Sequence, residues 1–256
     1  DPVAFDLLHR ETDIVRREGV ALARDQSVLM LENRKNGLER FYSAFLPEFP
    51  ENHGNTLTGG VGCIVMNCNP FTKGHLALIT YAASRCSLLH IFVVEEDRSL
   101  FPFEVRMRLV KEGTAHLPNV KVHPSGPYMI SSATFPTYFL KKGEDAARIQ
   151  SELDITLFAS RIAPLFHITK RFAGEEPLDP VTRDYNEAMI RLLPQYSISF
   201  IKIARTTAEA PEGKPEVISA SRVRKLLAET GVTEEVLQLV PPCTAQYLKN
   251  EFGARP

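Results

Sequence analysis

No apolar run in this chain of 256 residues approaches the roughly 18–20 residues of a membrane-spanning helix, and no signal peptide is visible. Net charge is nearly absent: 30 Lys and Arg stand against 31 Asp and Glu, leaving −1. A nucleic-acid coat or a membrane-surface clamp needs a cationic excess that is missing here, so neither partner is expected. Cysteine is scarce. The four residues Cys63, Cys68, Cys86 and Cys243 contain no C-x-x-C pair, and two of them lie in or beside an apolar strand candidate. They read as reduced core thiols in a cytosolic setting, and no metal-ligand cluster is read from the sequence. There is no internal repeat or low-complexity tract. What is present, 44% hydrophobic and 24% charged residues, can bury one sizeable core with length to spare for an appended piece.

The stretch Val61–His75 reads Val-Gly-Cys-Ile-Val-Met-Asn-Cys-Asn-Pro-Phe-Thr-Lys-Gly-His. Its apolar run, Cys63 to Met66, has the length and composition of a buried strand. The run breaks at the turn-rich Asn67–Pro70. Thr72-Lys73-Gly74-His75 then opens a segment whose Leu76, Ile79 and Ala83 repeat at helical spacing. A strand giving way to a helix N-terminus makes an anion site, because unpaired amides and the helix dipole point outward together. Gly74 allows a ligand close to the backbone, while Thr72 and His75 add side-chain donors. That arrangement suits the α- and β-phosphates of a nucleotide. Taken alone, the same residues also fit a glycine turn with a solvated histidine.

A second opening lies toward the other end, at Ile218-Ser219-Ala220-Ser221-Arg222-Val223-Arg224-Lys225-Leu226-Leu227. Ser219 is a good N-cap, and Val223, Leu226 and Leu227 follow at helical spacing. Ser221, Arg224 and Lys225 share a face at spacings of three and four. A hydroxyl and two cations at a helix start form a second phosphate grip; a capped amphipathic helix with a basic solvent face is the plainer alternative. Cys68 sits in the first loop, but phosphoryl chemistry at such a site needs no protein nucleophile.

Between these openings, apolar and helical segments alternate. Leu88–Val94 reads as a second buried strand, followed by a helix from about Pro102 to His116. Val120–His123 is a short third strand ended by Pro124. Ile168–Phe172 and Ser197–Ile203 supply two more, with a helix near Val181–Leu193 between them. Strands separated by helices predict an α/β fold with a parallel sheet and right-handed crossovers, its ligand at the carboxyl ends of the strands by the switch point. Ser131–Phe166 is long, aromatic and mainly helical, an insertion between the two halves. Thr206–Pro215 reads as a mobile loop. Arg171-Phe172-Ala173-Gly174-Glu175-Glu176-Pro177 leaves a strand through a glycine turn, and Arg106, in the helix opened by Phe101-Pro102-Phe103, is placed to reach a phosphate or acyl group or to form a structural ion pair.

Thr72-x-Gly74-His75 resembles the (H/T)xGH signature of the nucleotidyltransferase superfamily, whose fold is a Rossmann-like parallel sheet. The Ile218–Arg224 segment resembles its ISSTxxR signature, with Arg224 in the arginine position. From about Gly62 to Leu248 the chain is similar more closely to the citrate lyase ligase family. The resembling stretches are Gly62-Cys63-Ile64-Val65-Met66-Asn67, Asn69-Pro70-Phe71-Thr72, Ser132-Ala133-Thr134-Phe135-Pro136, Arg171-Phe172 with Glu176-Pro177, and Ile218–Arg224. The Ser-Ala-Thr-Phe-Pro segment lies outside the general nucleotide motifs and so points to this family.

That resemblance implies ATP, acetate and a carrier thiol giving AMP, diphosphate and an acetyl thioester through acetyl-adenylate. The implied partner is the citrate lyase acyl carrier subunit bearing a phosphoribosyl-dephospho-coenzyme A group. Mg²⁺ would accompany ATP as co-substrate, with no tightly bound cofactor. Thr72, Lys73, His75 and Arg224 are the implied catalytic residues. Asn67, Asn69, Pro70, Phe71, Gly74, Arg106, Gly174, Glu175, Ile218, Ser219 and Ser221 are the implied nucleotide contacts. Tyr138, Phe139, Lys141 and Lys142 of the insertion are candidates for the acetyl pocket and the approach of the thiol arm. The family carries an acetyltransferase-like domain first, whereas only about 60 residues precede Gly62 and the chain starts with Asp1. The expectation is a remnant of that domain with its linker helix over 1–52, Val28–Leu31 being its last strand and Gly37–Phe45 the helix. A linker at His53–Gly60 and a nucleotidyltransferase-like catalytic domain over 61–252 follow. Two other readings stand beside the ligase: a phosphopantetheine or nicotinamide-mononucleotide adenylyltransferase, and a non-catalytic nucleotide-binding module.

Overall fold

The computed structural model describes residues 3–7, 20–24, 28–32, 36–46, 59–95, 99–129, 146–175, 180–204, 207–209 and 215–253. In chain order these form β1 (Val3–Leu7), β2 (Val20–Arg24), β3 (Val28–Glu32), α1 (Gly37–Ser43), β4 (Val61–Met66), α2 (Lys73–Ala83), β5 (Leu88–Val93), α3 (Phe103–Thr114), β6 (Val120–Pro124), α4 (Ala146–Leu157), α5 (Ala163–Leu165), β7 (Ile168–Gly174), α6 (Pro180–Leu192), β8 (Ser199–Ile203), β9 (Thr207–Glu209), β10 (Pro215–Val217), α7 (Ala220–Thr230), α8 (Glu234–Gln238) and α9 (Pro242–Phe252).

Five strands form the predicted parallel sheet in the order β6-β5-β4-β7-β8. Its central strands β4 and β5 are apolar without alternation, as strands buried on both faces are: Cys63, Ile64, Leu89, Ile91, Phe92 and Val93 are all buried. The β5–β6 register runs from Leu89 opposite Val120 to Val93 opposite Pro124. Chain order leaves β4 in one direction through β5 and β6, then resumes on its other side with β7 and β8. The carboxyl end of β4 is therefore a switch point, where this class of sheet places its ligand.

The backbone resolves into two compact units, one of residues 1–61, 125–171 and 176–201, the other of residues 62–124, 172–175 and 202–256. In the first, β1, β3 and β2 make an antiparallel sheet. The predicted strand over Val28–Leu31 is β3, and the predicted helix is α1. That helix is bound by the Tyr42 hydroxyl donating to the Ser125 carbonyl at 2.6 Å, and by a Glu39–Arg161 ion pair at 2.6 Å. Gly126, at φ +61°, makes room for it: a Cβ there would stand 2.4 Å from the Phe41 ring. Of the predicted insertion, the described part is helical, α4 running through a π-turn at Phe158–Ile162 into α5. Ser132–Pro136, Tyr138, Phe139, Lys141 and Lys142 lie outside the described residues.

Two sequence expectations change. The strand predicted from Ser197 starts at Ser199, because Ser197 takes a left-handed conformation (φ 59°) closing the 3₁₀ turn Leu193–Tyr196. The segment read as a mobile loop over Thr206–Pro215 contributes β9, which pairs antiparallel with β10, Thr207 opposite Val217 and Glu209 opposite Pro215. Residues 206 and 210–214 of that segment lie outside the described residues.

Within the second unit, His90 of β5 faces His123 of β6, Nδ1 to Nε2 at 2.8 Å, with both rings buried. Burial, then repulsion from His123 and Lys121, pushes His90 down to about 3. Burial, then Lys111 and Lys121, brings His123 down to about 4. Unfolded imidazoles titrate near 6.5, so below that pH the unfolded chain binds protons that the folded chain refuses. The stabilisation is whole above about pH 6.5 and is lost as pH falls toward 4 and 3. The expected slope is on the order of 1–3 kcal/mol per pH unit between pH 6 and 4, read from urea midpoints. A midpoint flat over that range would contradict a buried neutral pair.

Candidate active site

The loop leaving β4 is built around a buried arginine. Arg106 of α3 is fully buried. Its NH1 donates to the Asn67 carbonyl at 2.7 Å, to Asn67 Oδ1 at 2.7 Å and to the Val94 carbonyl at 2.8 Å, while Nε donates to the Phe101 carbonyl at 3.0 Å. The sequence left Arg106 two roles, a ligand to phosphate or acyl group or a structural contact, and in the structure it makes the second. A guanidinium taken out of water needs acceptors on every side, and here the ends of β4 and β5 supply them. The same bracing employs the asparagines expected at the nucleotide. Asn69 Oδ1 accepts from the Phe101 amide at 3.1 Å, and Asn67 Oδ1 also receives the Ser99 hydroxyl at 3.4 Å. Cys68 is buried in this loop at φ 54°, and burial raises its thiol pKa despite the neighbouring Arg106, in keeping with a non-nucleophilic role.

Helix α2 then opens as predicted, with Thr72 as its N-cap. The Thr72 hydroxyl accepts from the His75 amide at 3.3 Å, and the Thr72 amide donates to His75 Nδ1 at 3.0 Å. Because Nδ1 accepts, the neutral imidazole carries its proton on Nε2. Thr72 is itself only 1% exposed, and its hydroxyl, also 3.0 Å from Nδ1, orients His75. The Lys73 amide is taken by the Leu239 carbonyl at 3.0 Å. Of the first-turn donors, the Gly74 amide is left without an acceptor among the described residues. The Lys73 side chain is exposed.

Helix α7 supplies the second opening. Ser219 caps it, accepting from the Arg222 amide at 3.1 Å. Arg224 donates to the Ser221 hydroxyl at 3.2 Å and, through its other nitrogen, to the Asn69 carbonyl. The two openings are thus neighbours. Gly74 has a reason beyond ligand access: a Cβ there would stand 2.8 Å from the Ile218 carbonyl, so only glycine lets α2 abut the start of α7. Neither α2 nor α7 has an acidic residue in its first turn. Both positive helix ends therefore keep their attraction for an external anion. Lys225, grouped with Arg224 from its spacing, is exposed beside Glu229 at 4.0 Å, and Arg222 is paired with Glu235 at 3.0 Å.

Gly174 and Glu175 stand at the end of β7, in the same unit. The strand extends to Gly174, and a Cβ there would meet nothing within 4 Å. The Glu175 amide donates to the Ile203 carbonyl at 2.7 Å, and its carboxylate is 3.4 Å from Lys202 Nζ. Glu176 and Pro177 lie outside the described residues. Leu239 and Phe101, which hold α2 and the loop, escape a reading of residue types because they act mainly through their backbones. Among the described residues no group of three His, Cys, Asp or Glu is gathered for a metal ion, and no helix is long and apolar enough to cross a membrane.

Residues 61–248 match the citrate lyase ligase C-terminal domain. The citrate (pro-3S)-lyase ligase of Escherichia coli (strain K12) is 42% identical over 223 residues, which are 87% of this chain and 61% of that protein. That of Klebsiella pneumoniae is 41% identical over 233 residues, 90% of this chain and 64% of that protein. A phosphopantetheine adenylyltransferase of Proteus mirabilis is 28% identical over 166 residues, 62% of this chain and 91% of that protein. The chain spans about three-fifths of the length of the ligases it matches. Matched over most of its length both by that domain and by ligases at about two-fifths identity, this chain belongs to the citrate lyase ligase family.

Proposed function

We propose that the chain uses ATP and acetate to acetylate the thiol prosthetic group on the acyl carrier subunit of citrate lyase, by way of acetyl-adenylate, releasing diphosphate and AMP. The reading is supported above all by two helix N-termini, free of first-turn carboxylates and locked side by side through Gly74–Ile218 and Arg224–Asn69, in a member of this family. Residues 61–252 would form the catalytic domain, in a cytoplasmic protein.

Acetate is already a nucleophile at neutral pH, so the protein has no proton to remove before attack on the α-phosphorus. Its work is placement and the stabilisation of charge on the phosphoryl oxygens and the departing diphosphate. His75 Nε2–H and the Gly74 amide would meet the α/β-phosphates; Lys73 and Arg224, with the α7 amides near Ser219 and Ser221, would hold the β/γ end. Mg²⁺ would share the β/γ charge. The acetyl group then passes to the carrier thiolate as AMP leaves, the phosphoribosyl-dephospho-coenzyme A arm of the carrier reaching the site past the insertion.

The deciding assay is diphosphate release from ATP with and without acetate, in the presence and absence of thiol-form citrate lyase. Release that ignores acetate and follows a phosphorylated acceptor would give the site to an adenylyltransferase. Nucleotide binding without release would make it a sensor. Arg224→Ala tests the phosphate assignment by calorimetry: affinity for ATP should fall by about tenfold or more, with AMP little changed, since a charge-assisted contact contributes roughly 1.5–3 kcal/mol and AMP lacks the groups it meets. Equal weakening of both nucleotides would make Arg224 a brace for the Asn69 loop.

A further inference from the structure

We infer that Gly113, in a helix outside both phosphate motifs, is a positioning residue for His75 and acts through the ring of Phe71. The inference rests on the reaction proposed above for its kinetic readout. Gly113 is the penultimate residue of α3, where glycine costs a helix roughly 0.5–1 kcal/mol relative to alanine. The compensating contact is a close approach. A Cβ at Gly113 would lie 2.4 Å from Cε1 of Phe71 and 3.3 Å from its Cδ1, against the roughly 3.5–4.0 Å that two carbons prefer. The other side is closed too: Sγ of Cys243 would be 3.3 Å away, and that thiol is 3.5 Å from the Leu109 carbonyl.

Phe71 has nowhere to retreat, being fully buried. Its ring lies nearly parallel to the His75 imidazole, 9° between planes and 6.1 Å between centroids. Thr72 fixes the rotation of the imidazole within its plane through the bonds to Nδ1, and Phe71 fixes the plane. Together they aim Nε2. The missing side chain at Gly113 sets the depth at which Phe71 sits, and hence the plane of His75, from a helix with no phosphate contact of its own.

The test is Gly113→Ala in the 256-residue chain. The kcat for acetate-dependent diphosphate release should fall by about 10- to 100-fold, the scale of a misplacement near 1 Å, while the ATP KM moves by about threefold at most. Phe71→Leu by itself removes the ring that sets the imidazole plane and should lower kcat over a similar range. The imidazole ¹⁵N signals of His75 should show an accepting Nδ1 in the parent chain and a mixed tautomer in both Gly113→Ala and Phe71→Leu. Parent-like kcat in Gly113→Ala overturns the inference. So does a loss in Gly113→Ala that Phe71→Leu does not reproduce while the His75 signals stay as in the parent, for then the clash is merely structural. Should the parent chain release no diphosphate with acetate, the proposed reaction fails, and the His75 spectra alone decide: shifted in Gly113→Ala supports positioning, unshifted overturns it.

Discussion

Replacing His75 by alanine is expected to lower kcat by on the order of 10²–10³, the loss found when one preorganised transition-state donor is removed. The apparent affinity for ATP should change much less. In the proposed reaction Nε2–H would face the charge that accumulates during transfer, whereas the Gly74 amide and Arg224 would continue to hold ground-state phosphate. The expectation rests on geometry: Nδ1 is occupied as an acceptor by the Thr72 amide at 3.0 Å, which leaves the proton on Nε2. His75→Ala also removes half of the capping box, a cost of about 1 kcal/mol to helix α2, so circular dichroism at the assay temperature must accompany the kinetics. Near-parental turnover at saturating ATP would remove His75 from the mechanism.

Arg106→Ala should have the largest effect on stability, about 3–5 kcal/mol, because truncation strands the acceptors of a fully buried cation. The carbonyls of Asn67, Val94 and Phe101, with Asn67 Oδ1, would lose their donor together. Against a typical total of 5–15 kcal/mol this approaches unfolding of the phosphate loop or of the domain. Arg106→Lys should recover only part, since one ammonium cannot reproduce donors from both Nε and NH1. Chemical denaturation reads the effect, and an Arg106→Ala chain with parental midpoint and slope would show that the arginine is not the brace described here. A phosphate-binding arginine would leave stability intact and weaken ATP instead, so the same variant separates the two roles.

How far the site could be read from residue order depends on the range of each interaction. The caps at Thr72 and Ser219 are local, a hydroxyl meeting an amide three residues on; from the sequence Ser219 reads as a cap, whereas Thr72 reads as a donor at the same kind of helix opening. The α/β alternation was equally legible, since each buried strand declares itself within a few residues. Arg106 was not, because residue type alone cannot tell a cation that meets a ligand from one that holds a loop. Its acceptors come from positions as distant as Asn67, brought to it by the parallel pairing of β4 and β5 ends. Gly74 was legible as special and misread as to why, its partner Ile218 being far along the chain. Lys225 shared a helical face with Arg224 on paper, yet only Arg224 is in reach of the Asn69 carbonyl.

The sequence by itself determined the fold class, the two capped helix openings and the family, because hydrophobic period, cap chemistry and motif spacing act over a few bonds. Tertiary structure alone decided which donors face outward. It took the Lys73 amide with Leu239 and the guanidinium of Arg106 with three carbonyls, left the Gly74 amide without an acceptor among the described residues, tied His75 Nδ1 to Thr72, and set Phe71 against Gly113. The reason is that a buried polar group must find its partner wherever the packed chain puts one, and that address is not written next to it in the sequence.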